Sequence, residues 1–239
     1  MSDPRGMVPR RAGYVGKRAL DVALVVLAAP VWLPLLAVGA AVVLATMGRP
    51  VFFRQRRAGW GGMPFDILKL RTMTDARGAD GALLPDAERL PAAGRWLRRT
   101  SLDELPELLT VLRGDMSLVG PRPLLLQYLP LYSAAHARRH ELRPGLTGLA
   151  QVSGRNALDW PSRFDLDVDY VDRCSPALDA RILWQTVRAV FGGRGVSAEG
   201  EATMSVFTGY GAAAPEGAAA PPVTRAPVLR GAGSSGPRR

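Results

Sequence analysis

The sequence predicts an α/β fold: a re-entrant helical hairpin in a membrane, interfacial helices and a small sheet component, gathered in one compact unit. Three observations predict it. Val22 to Gly48 is a run of 27 residues without a formal charge, interrupted by Pro30 and Pro34. Basic residues stand at both ends, Lys17 and Arg18 before the run and Arg49, Arg54, Arg56 and Arg57 after it. Beyond the run, one short segment alternates polar and apolar residues, and several stretches repeat apolar residues at helical spacing.

In chain order, residues 1–15 read as a mobile basic leader and 16–58 as the membrane hairpin with its basic exit. An apolar helix of ~20 residues spans a bilayer, but a proline inside one removes a hydrogen bond and clashes with the preceding turn. Basic flanks stay on the cytoplasmic side, so basic residues at both ends favour re-entry over a crossing. A first arm from Val22 to Ala29 would rise about 12 Å at 1.5 Å per residue before Pro30 turns it. Three other readings compete. A kinked spanning helix is tolerated where neighbours satisfy the freed backbone groups. A signal peptide has an apolar core of ~7–15 residues, about half this length. A buried soluble helix would be shorter and less uniformly apolar.

Residues 59–210 read as a cytoplasmic domain. Phe65-Asp66-Ile67-Leu68-Lys69-Leu70-Arg71 alternates as a strand does, and Thr74 to Pro91 is a loop rich in Gly, Ala and Asp. Gly94 to Leu112 has a helical pattern interrupted near Thr100. Leu124 to Leu142 offers a helix with an apolar stripe of Leu125, Tyr128, Leu129 and Tyr132. Pro, Gly and charge dominate Arg143 to Arg163, and a last helix from about Leu178 to Phe191 places Leu183, Val187, Val190 and Phe191 on one face. Residues 211–239 hold mainly Ala, Pro, Gly and Ser with several Arg and a single acid. Such a tail cannot bury enough apolar surface to order itself.

A chain of 239 residues with 47% hydrophobic content holds one domain of ordinary size beside the membrane element. Its net charge of +10 suits phosphate-bearing partners or an anionic membrane face. Nucleic acid is excluded as a partner: no zinc spacing or basic zipper is present, and the aromatics, at 7%, are not interleaved with basic residues. Cys174 is the single cysteine, which rules out an intramolecular disulfide framework and agrees with a reducing compartment.

Chemistry concentrates in Arg98-Arg99-Thr100-Ser101-Leu102-Asp103-Glu104-Leu105-Pro106-Glu107-Leu108. Ser101 followed three residues later by Glu104 is a capping box, with acids in a helix's positive first turn. Pro106 opposes that reading, because it falls where the helix needs a donor. Adjacent carboxylates on a regular helix point about 100° apart and converge only where the backbone is irregular. In Gly114-Asp115-Met116-Ser117-Leu118-Val119-Gly120-Pro121-Arg122-Pro123, two prolines hold Arg122 in restricted backbone, where a guanidinium can meet a phosphate bidentately. Arg143-Pro144-Gly145-Leu146-Thr147-Gly148 sets a further arginine beside two flexible glycines. Each also reads as a turn. Lys69 is one of only two lysines among 31 basic residues, which suggests that a compact ammonium is needed there.

The chain resembles the bacterial sugar transferases, small monotopic polyprenyl-phosphate phosphoglycosyl transferases. The resemblance rests on Lys17-Arg18-Ala19-Leu20-Asp21, Pro50-Val51-Phe52-Phe53-Arg54-Gln55, Lys69-Leu70-Arg71-Thr72-Met73 and Ser101-Leu102-Asp103-Glu104-Leu105-Pro106. It continues through Gly120-Pro121-Arg122-Pro123, the stretch from Arg143 to Val152, and Asp167 with Tyr170. These follow the family's order across about residues 16–195. Two departures stand out: Ala29 precedes Pro30 where the family commonly has Ser, and Ser153 stands where Asn is frequent.

The resemblance implies that residues 59–210 are a catalytic domain facing the cytoplasm at the bacterial inner membrane, in a small form reduced to hairpin and catalytic unit. It implies transfer of a phosphosugar from a UDP-sugar to polyprenyl phosphate, releasing UMP, as the initiating step of envelope glycan assembly. Asp103 would attack the sugar-bearing phosphate and bind Mg2+. Glu104 would accept a proton or orient the metal. Lys69, Arg98, Arg122 and Arg143 would bind phosphates, and Asp167 would orient these cations. Two alternatives stay open: a non-catalytic membrane adaptor, and a lipid-directed transferase without a covalent intermediate.

Overall fold

The computed structural model describes residues 8–154, 158–191 and 206–210. Helix α1 (Lys17–Leu27) follows Gly16, whose φ of 84° is a left-handed value that favours glycine. Helix α2 (Ala29–Met47) begins after a single intervening residue, Ala28. The break therefore falls two residues before Pro30, where the sequence reading puts it. Pro30 lies in the first turn of α2, where its missing N–H costs nothing. The Trp32 indole reaches back over the break and donates to the Val25 carbonyl at 2.9 Å.

One stripe of this helix pair is buried: Lys17, Asp21 and Val25 on α1, then Trp32, Gly39 and Val43 on α2. Spacings of four and seven put these residues on one face of each helix. Val25 and Trp32 pack with Ile67, Leu108, Val111 and Met116, each such burial being worth about 1.5–3 kcal/mol. Val43 packs with Leu70 and Leu97. A Cβ at Gly39 would lie 2.6 Å from the Leu70 side chain, so glycine sets the approach of α2 here. Leu20, Leu24, Val26, Leu27, Val31, Leu33, Leu35, Val38 and Leu44 are exposed. By length and composition α2 is apolar enough to cross a membrane.

Both ends of the pair are tied to the rest of the fold. Lys17 is ion-paired to Asp179 at 2.6 Å, and Asp21 accepts from the Ser117 hydroxyl at 2.7 Å and the Leu118 amide at 3.3 Å. Arg71 donates to the Met47 and Gly48 carbonyls at the end of α2. Residues 8–15, read from sequence as part of the mobile leader, lie against the domain. Arg11 pairs with Glu141 at 3.2 Å, and the Tyr14 hydroxyl donates to Asp179 at 3.0 Å. The leader's first seven residues and the tail 211–239 lie outside the described residues.

Strand β1 (Phe52–Ala58) pairs antiparallel with β2 (Pro64–Leu70), Phe52 opposite Leu70 and Ala58 opposite Pro64. The sequence reading finds β2 and misses β1, whose Phe-Phe-Arg-Gln-Arg-Arg lacks strand alternation. Short helix α3 (Asp86–Arg89) lies within the expected loop, and α4 (Ala92–Arg99) ends at Thr100, where the pattern breaks. Helix α5 (Glu107–Arg113) follows. Strand β3 (Ser117–Val119) then pairs in parallel with β4 (Gly145–Thr147).

Leu124 to Leu142 is not one helix. It comprises a 3-10 segment at Leu126–Leu131, helix α6 (Ala134–Ala137) and a 3-10 turn at Arg138–Glu141. Pro130 cannot donate within a continuous helix, and the Ser133 side chain caps α6 by accepting the His136 amide. The Pro/Gly/charge region after Arg143 holds α7 (Leu149–Ser153) and the start of α8 (Trp160–Arg173), which Asp159 caps by accepting the Ser162 amide at 3.0 Å. Helix α9 (Pro176–Phe191) buries Asp179 and Ile182, with Leu183 packed beside them, and exposes Val187 and Trp184. Val187 was expected on the packed face.

The sequence motifs 114–123 and 143–148 are one parallel strand pair, and their glycines are crowded. A Cβ on Gly120 would lie 2.4 Å from the Arg143 carbonyl, and one on Gly148 would lie 2.2 Å from the Gly120 carbonyl. Close backbone approach, not flexibility, is their use.

Candidate active site

The segment from Arg98 to Glu107 turns sharply. Ser101 has φ 57° and ψ 17°, the left-handed region that costs a non-glycine residue about 1–2 kcal/mol. Its side chain makes no cap bond, so the capping box does not form. A 3-10 turn at Leu102–Glu104 follows, then Pro106 directly before α5. The irregular backbone brings Asp103, Glu104 and Glu107 toward Lys69 on β2.

Lys69 binds two carboxylates, Glu104 at 2.6 Å and Glu107 at 3.1 Å. Arg122, just beyond β3, donates to the same Glu104 oxygen at 2.8 Å and keeps part of its guanidinium exposed. Burial works against the Glu104 charge, but Arg122 and Lys69 outweigh it and hold this carboxyl well below the usual range. Lys69 moves up: burial opposes its charge, and Glu104 with Glu107 more than compensates. Arg122 is likewise held above its ordinary value, chiefly by Glu104. Burial raises Glu107, with Lys69 opposing.

Asp103 differs from both neighbours. It is buried, and among the described residues no hydrogen bond reaches its carboxylate. Burial and the Glu104 charge push its pKa up to about 6, although Lys69, Arg98 and Arg122 pull against them. Arg98, in the last turn of α4, donates to the Thr72 hydroxyl at 3.0 Å. At neutral pH the result is a largely ionised, partner-free carboxylate with raised basicity, in a field of three cations.

Asp167, on α8, does not touch those cations. It accepts from Arg139 at 3.0 and 2.6 Å, and Arg139 also donates to the Arg122 backbone carbonyl at 2.7 Å. The link from Asp167 to Arg122 thus runs through a fully buried arginine to the Arg122 backbone. Arg139 carries no signal in the sequence that sets it apart from 28 other arginines.

Arg143 stands apart from this group. Its guanidinium lies 3.9 Å from the centre of the Trp60 ring and donates to the Gly114 carbonyl at 2.8 Å. Gly114 is the C-cap of α5, whereas the acids lie at that helix's other end. Seven residues of α5 separate the two, about 10 Å at 1.5 Å per residue. Arg143 therefore lies outside the acid cluster: two glycine-flanked arginine motifs look alike in sequence, and only the parallel β3–β4 pairing shows that they face different ends of α5.

Two further residues join the site: Glu107, which the sequence reading does not single out, and Arg57, which it places in the basic exit that can meet the lipid phosphate. Glu107 is the second acid held by Lys69, and its spacing of three from Glu104 is the signal that could have found it. Arg57 on β1 donates to Gln55 at 2.5 Å. Burial and the Arg122 charge lower its pKa to about 10.

Comparison with known proteins shows the family. The model of the bacterial sugar transferase family matches residues 12–193. The chain is 55% identical over 171 residues to the uncharacterized sugar transferase EpsL of Bacillus subtilis, covering 72% of this chain and 85% of that protein. It is 44% identical over 196 residues to the UDP-glucose:undecaprenyl-phosphate glucose-1-phosphate transferase of Caulobacter vibrioides, covering 77% and 73%. It is 37% identical over 205 residues to the exopolysaccharide production protein ExoY of Sinorhizobium fredii, covering 78% and 90%. With the family model matching most of its length and relatives of this identity beside it, the chain belongs to the bacterial sugar transferase family.

Proposed function

We propose that this protein transfers a phosphosugar from a UDP-sugar to polyprenyl phosphate, releasing UMP, and so initiates envelope glycan assembly. The observation that carries the reading is the partner-free Asp103 carboxylate beside a Glu104 clamped by Lys69 and Arg122. Relatives named for glucose-1-phosphate transfer to undecaprenyl phosphate support the substrate classes.

In the first step an Asp103 oxygen attacks the phosphorus that bears the sugar. The bond to the UMP oxygen breaks, UMP leaves with the electron pair, and an aspartyl phosphosugar remains, one difficult displacement split into two. The exposed face of Arg122, with Lys69 and Arg98, offsets negative charge on the transferring group. In the second step a polyprenyl phosphate oxygen attacks the same phosphorus and frees Asp103. A phosphate monoester has a second pKa of about 6, so the acceptor arrives largely ionised and needs no base. Glu104, held far below the carboxylate range, is a poor proton acceptor, and its work is to fix Lys69 and Arg122.

Magnesium fits this donor set. Asp103 offers a hard oxygen free of hydrogen bonds, and no three-residue metal cage exists among the described residues, so the ion would rest on Asp103 and substrate phosphate oxygens. Bound there, it would neutralise phosphate charge as a Lewis acid.

The membrane reading is re-entrant. α1 begins at an ion pair with Asp179 and α2 ends on Arg71, both in the same folded unit, while the apolar face between them is exposed. A crossing would separate those two ends. This supports a catalytic domain on the cytoplasmic face of the inner membrane.

The test is UMP release across a panel of UDP-sugars with polyprenyl phosphate. One or a few sugars should give both UMP and a polyprenyl-diphosphate sugar. A protein that binds both substrates and turns over none would be an adaptor.

A further inference from the structure

The structure holds a second cationic feature that the chemistry above does not use. An open groove of about 1110 Å³ runs along α1, lined by Gly13, Lys17, Val22, Ala23, Val26 and Leu27, among others, with Trp60 and Arg143 at its border. Leu27 and Val26 are exposed, so the groove belongs to the face offered to lipid. Its walls are mostly apolar.

At its Trp60 border three arginines gather. Arg143 lies 3.9 Å and Arg10 5.1 Å from the centre of the Trp60 ring. Arg18, also lining the groove, donates to the Val111 and Leu112 carbonyls. None of the three has an ion pair with a carboxylate among the described residues. The acids closest in the field are Asp21, committed to Ser117 and Leu118, and Asp115, which is exposed. Burial and the charges of Arg18 and Arg10 all lower the Arg143 pKa. Like charges are thus held together, and Asp21 and Asp115 offset them only in part.

We infer that this groove holds one anionic phospholipid, its acyl chain along Val22, Ala23 and Val26 and its phosphate on Arg10, Arg18 and Arg143 beside Trp60. An amphipathic ring next to a guanidinium cluster suits the headgroup level of a bilayer. The occupant is distinct from the reacting lipid, because the arginines sit at the C-terminal end of α5 and Asp103 at the N-terminal end. Charge selects it over zwitterionic lipid. The inference rests on the membrane-seated reading of α1 and α2 and is independent of phosphosugar transfer.

The experiment is native mass spectrometry of the full chain released from nanodiscs made of equal parts phosphatidylcholine and phosphatidylglycerol, with UMP release measured on the same samples. Wild type should retain one phosphatidylglycerol per chain and little phosphatidylcholine. The double variant Arg10→Gln/Arg143→Gln should lose that lipid about tenfold to thirtyfold. Ala23→Phe, which fills the groove without changing charge on an apolar exposed face, should lose it too. Arg10→Gln alone should weaken retention and leave UMP release unchanged. Equal retention of both lipids, or wild-type retention by the double variant with an unchanged melting temperature, overturns the inference. So does displacement by inorganic phosphate, which would mark a free-anion site, or one-for-one displacement by polyprenyl phosphate, which would assign the groove to the acceptor. Loss of UMP release with lipid retention intact would instead count against the transferase reading alone.

Discussion

Asp103 and Glu104 are adjacent buried-site carboxylates with opposite shifts, and the difference is set by how strongly Arg122 and Lys69 offset burial at each. Glu104 has two cationic partners, and among the described residues Asp103 has none. Replacing Asp103 with Asn should abolish UMP release, because an amide cannot attack phosphorus. It should also leave the melting temperature unchanged or raise it. The sign follows from linkage: Asp103 titrates near about 6 folded against about 3.9 unfolded, so the folded state holds its proton more tightly. Rising pH through that window therefore costs stability, and Asn removes the cost. For the same reason UMP release in the first half-reaction should fall as pH drops below about 6. A flat pH profile from 5 to 7, measured where UDP-sugar is saturating, would exclude Asp103 as the attacking group. Lys69→Met leaves the buried Glu107 without its cation while the half-buried Glu104 keeps Arg122, and loss of one partner of a buried pair costs about 3 kcal/mol. A urea midpoint equal to wild type would show that the clamp carries no structural weight.

At the scale of elements, the turn before α5 was legible because Pro106 is incompatible with a regular first turn. Its consequence for Ser101 was not, since a left-handed serine and a capping serine are the same letter. Ser101→Gly should accordingly be tolerated, or stabilise by up to about 1 kcal/mol, by relieving the positive φ. A loss of about 1 kcal/mol in chemical denaturation would restore the capping-box reading. β2 was readable from alternation, whereas β1 was hidden by consecutive arginines and phenylalanines. α8 went unread because its capping Asp159 and Pro161 sit in a stretch dominated by turn-forming residues. The site divides along the same line. Lys69, Asp103, Glu104 and Arg122 stood out by motif and bias, but Arg139 acts through tertiary contact alone, and Arg143 falls outside the acid cluster because strand pairing decides which end of α5 it meets.

For the whole molecule, the apolar run alone left re-entry and crossing open, and the fold adds the ties that bear on the choice. Lys17 to Asp179 and Arg71 to the end of α2 join both ends of the helix pair to one unit. Cysteines placed at Val15 and Met63, both exposed, in a Cys174→Ser background, should react with a membrane-impermeant thiol reagent only from the cytoplasmic side. Labelling from opposite sides would establish a spanning helix. In the proposed mechanism Asp103 takes the phosphosugar from the donor as a covalent aspartyl phosphosugar. Intact-mass analysis of the protein mixed with its UDP-sugar and no lipid tests this most directly. A phosphosugar adduct that maps to Asp103, with about one UMP released per chain, is the predicted result. If the mass stays that of the bare chain, UMP appears only after polyprenyl phosphate is added, and overall turnover is normal, transfer is direct and the covalent mechanism is wrong.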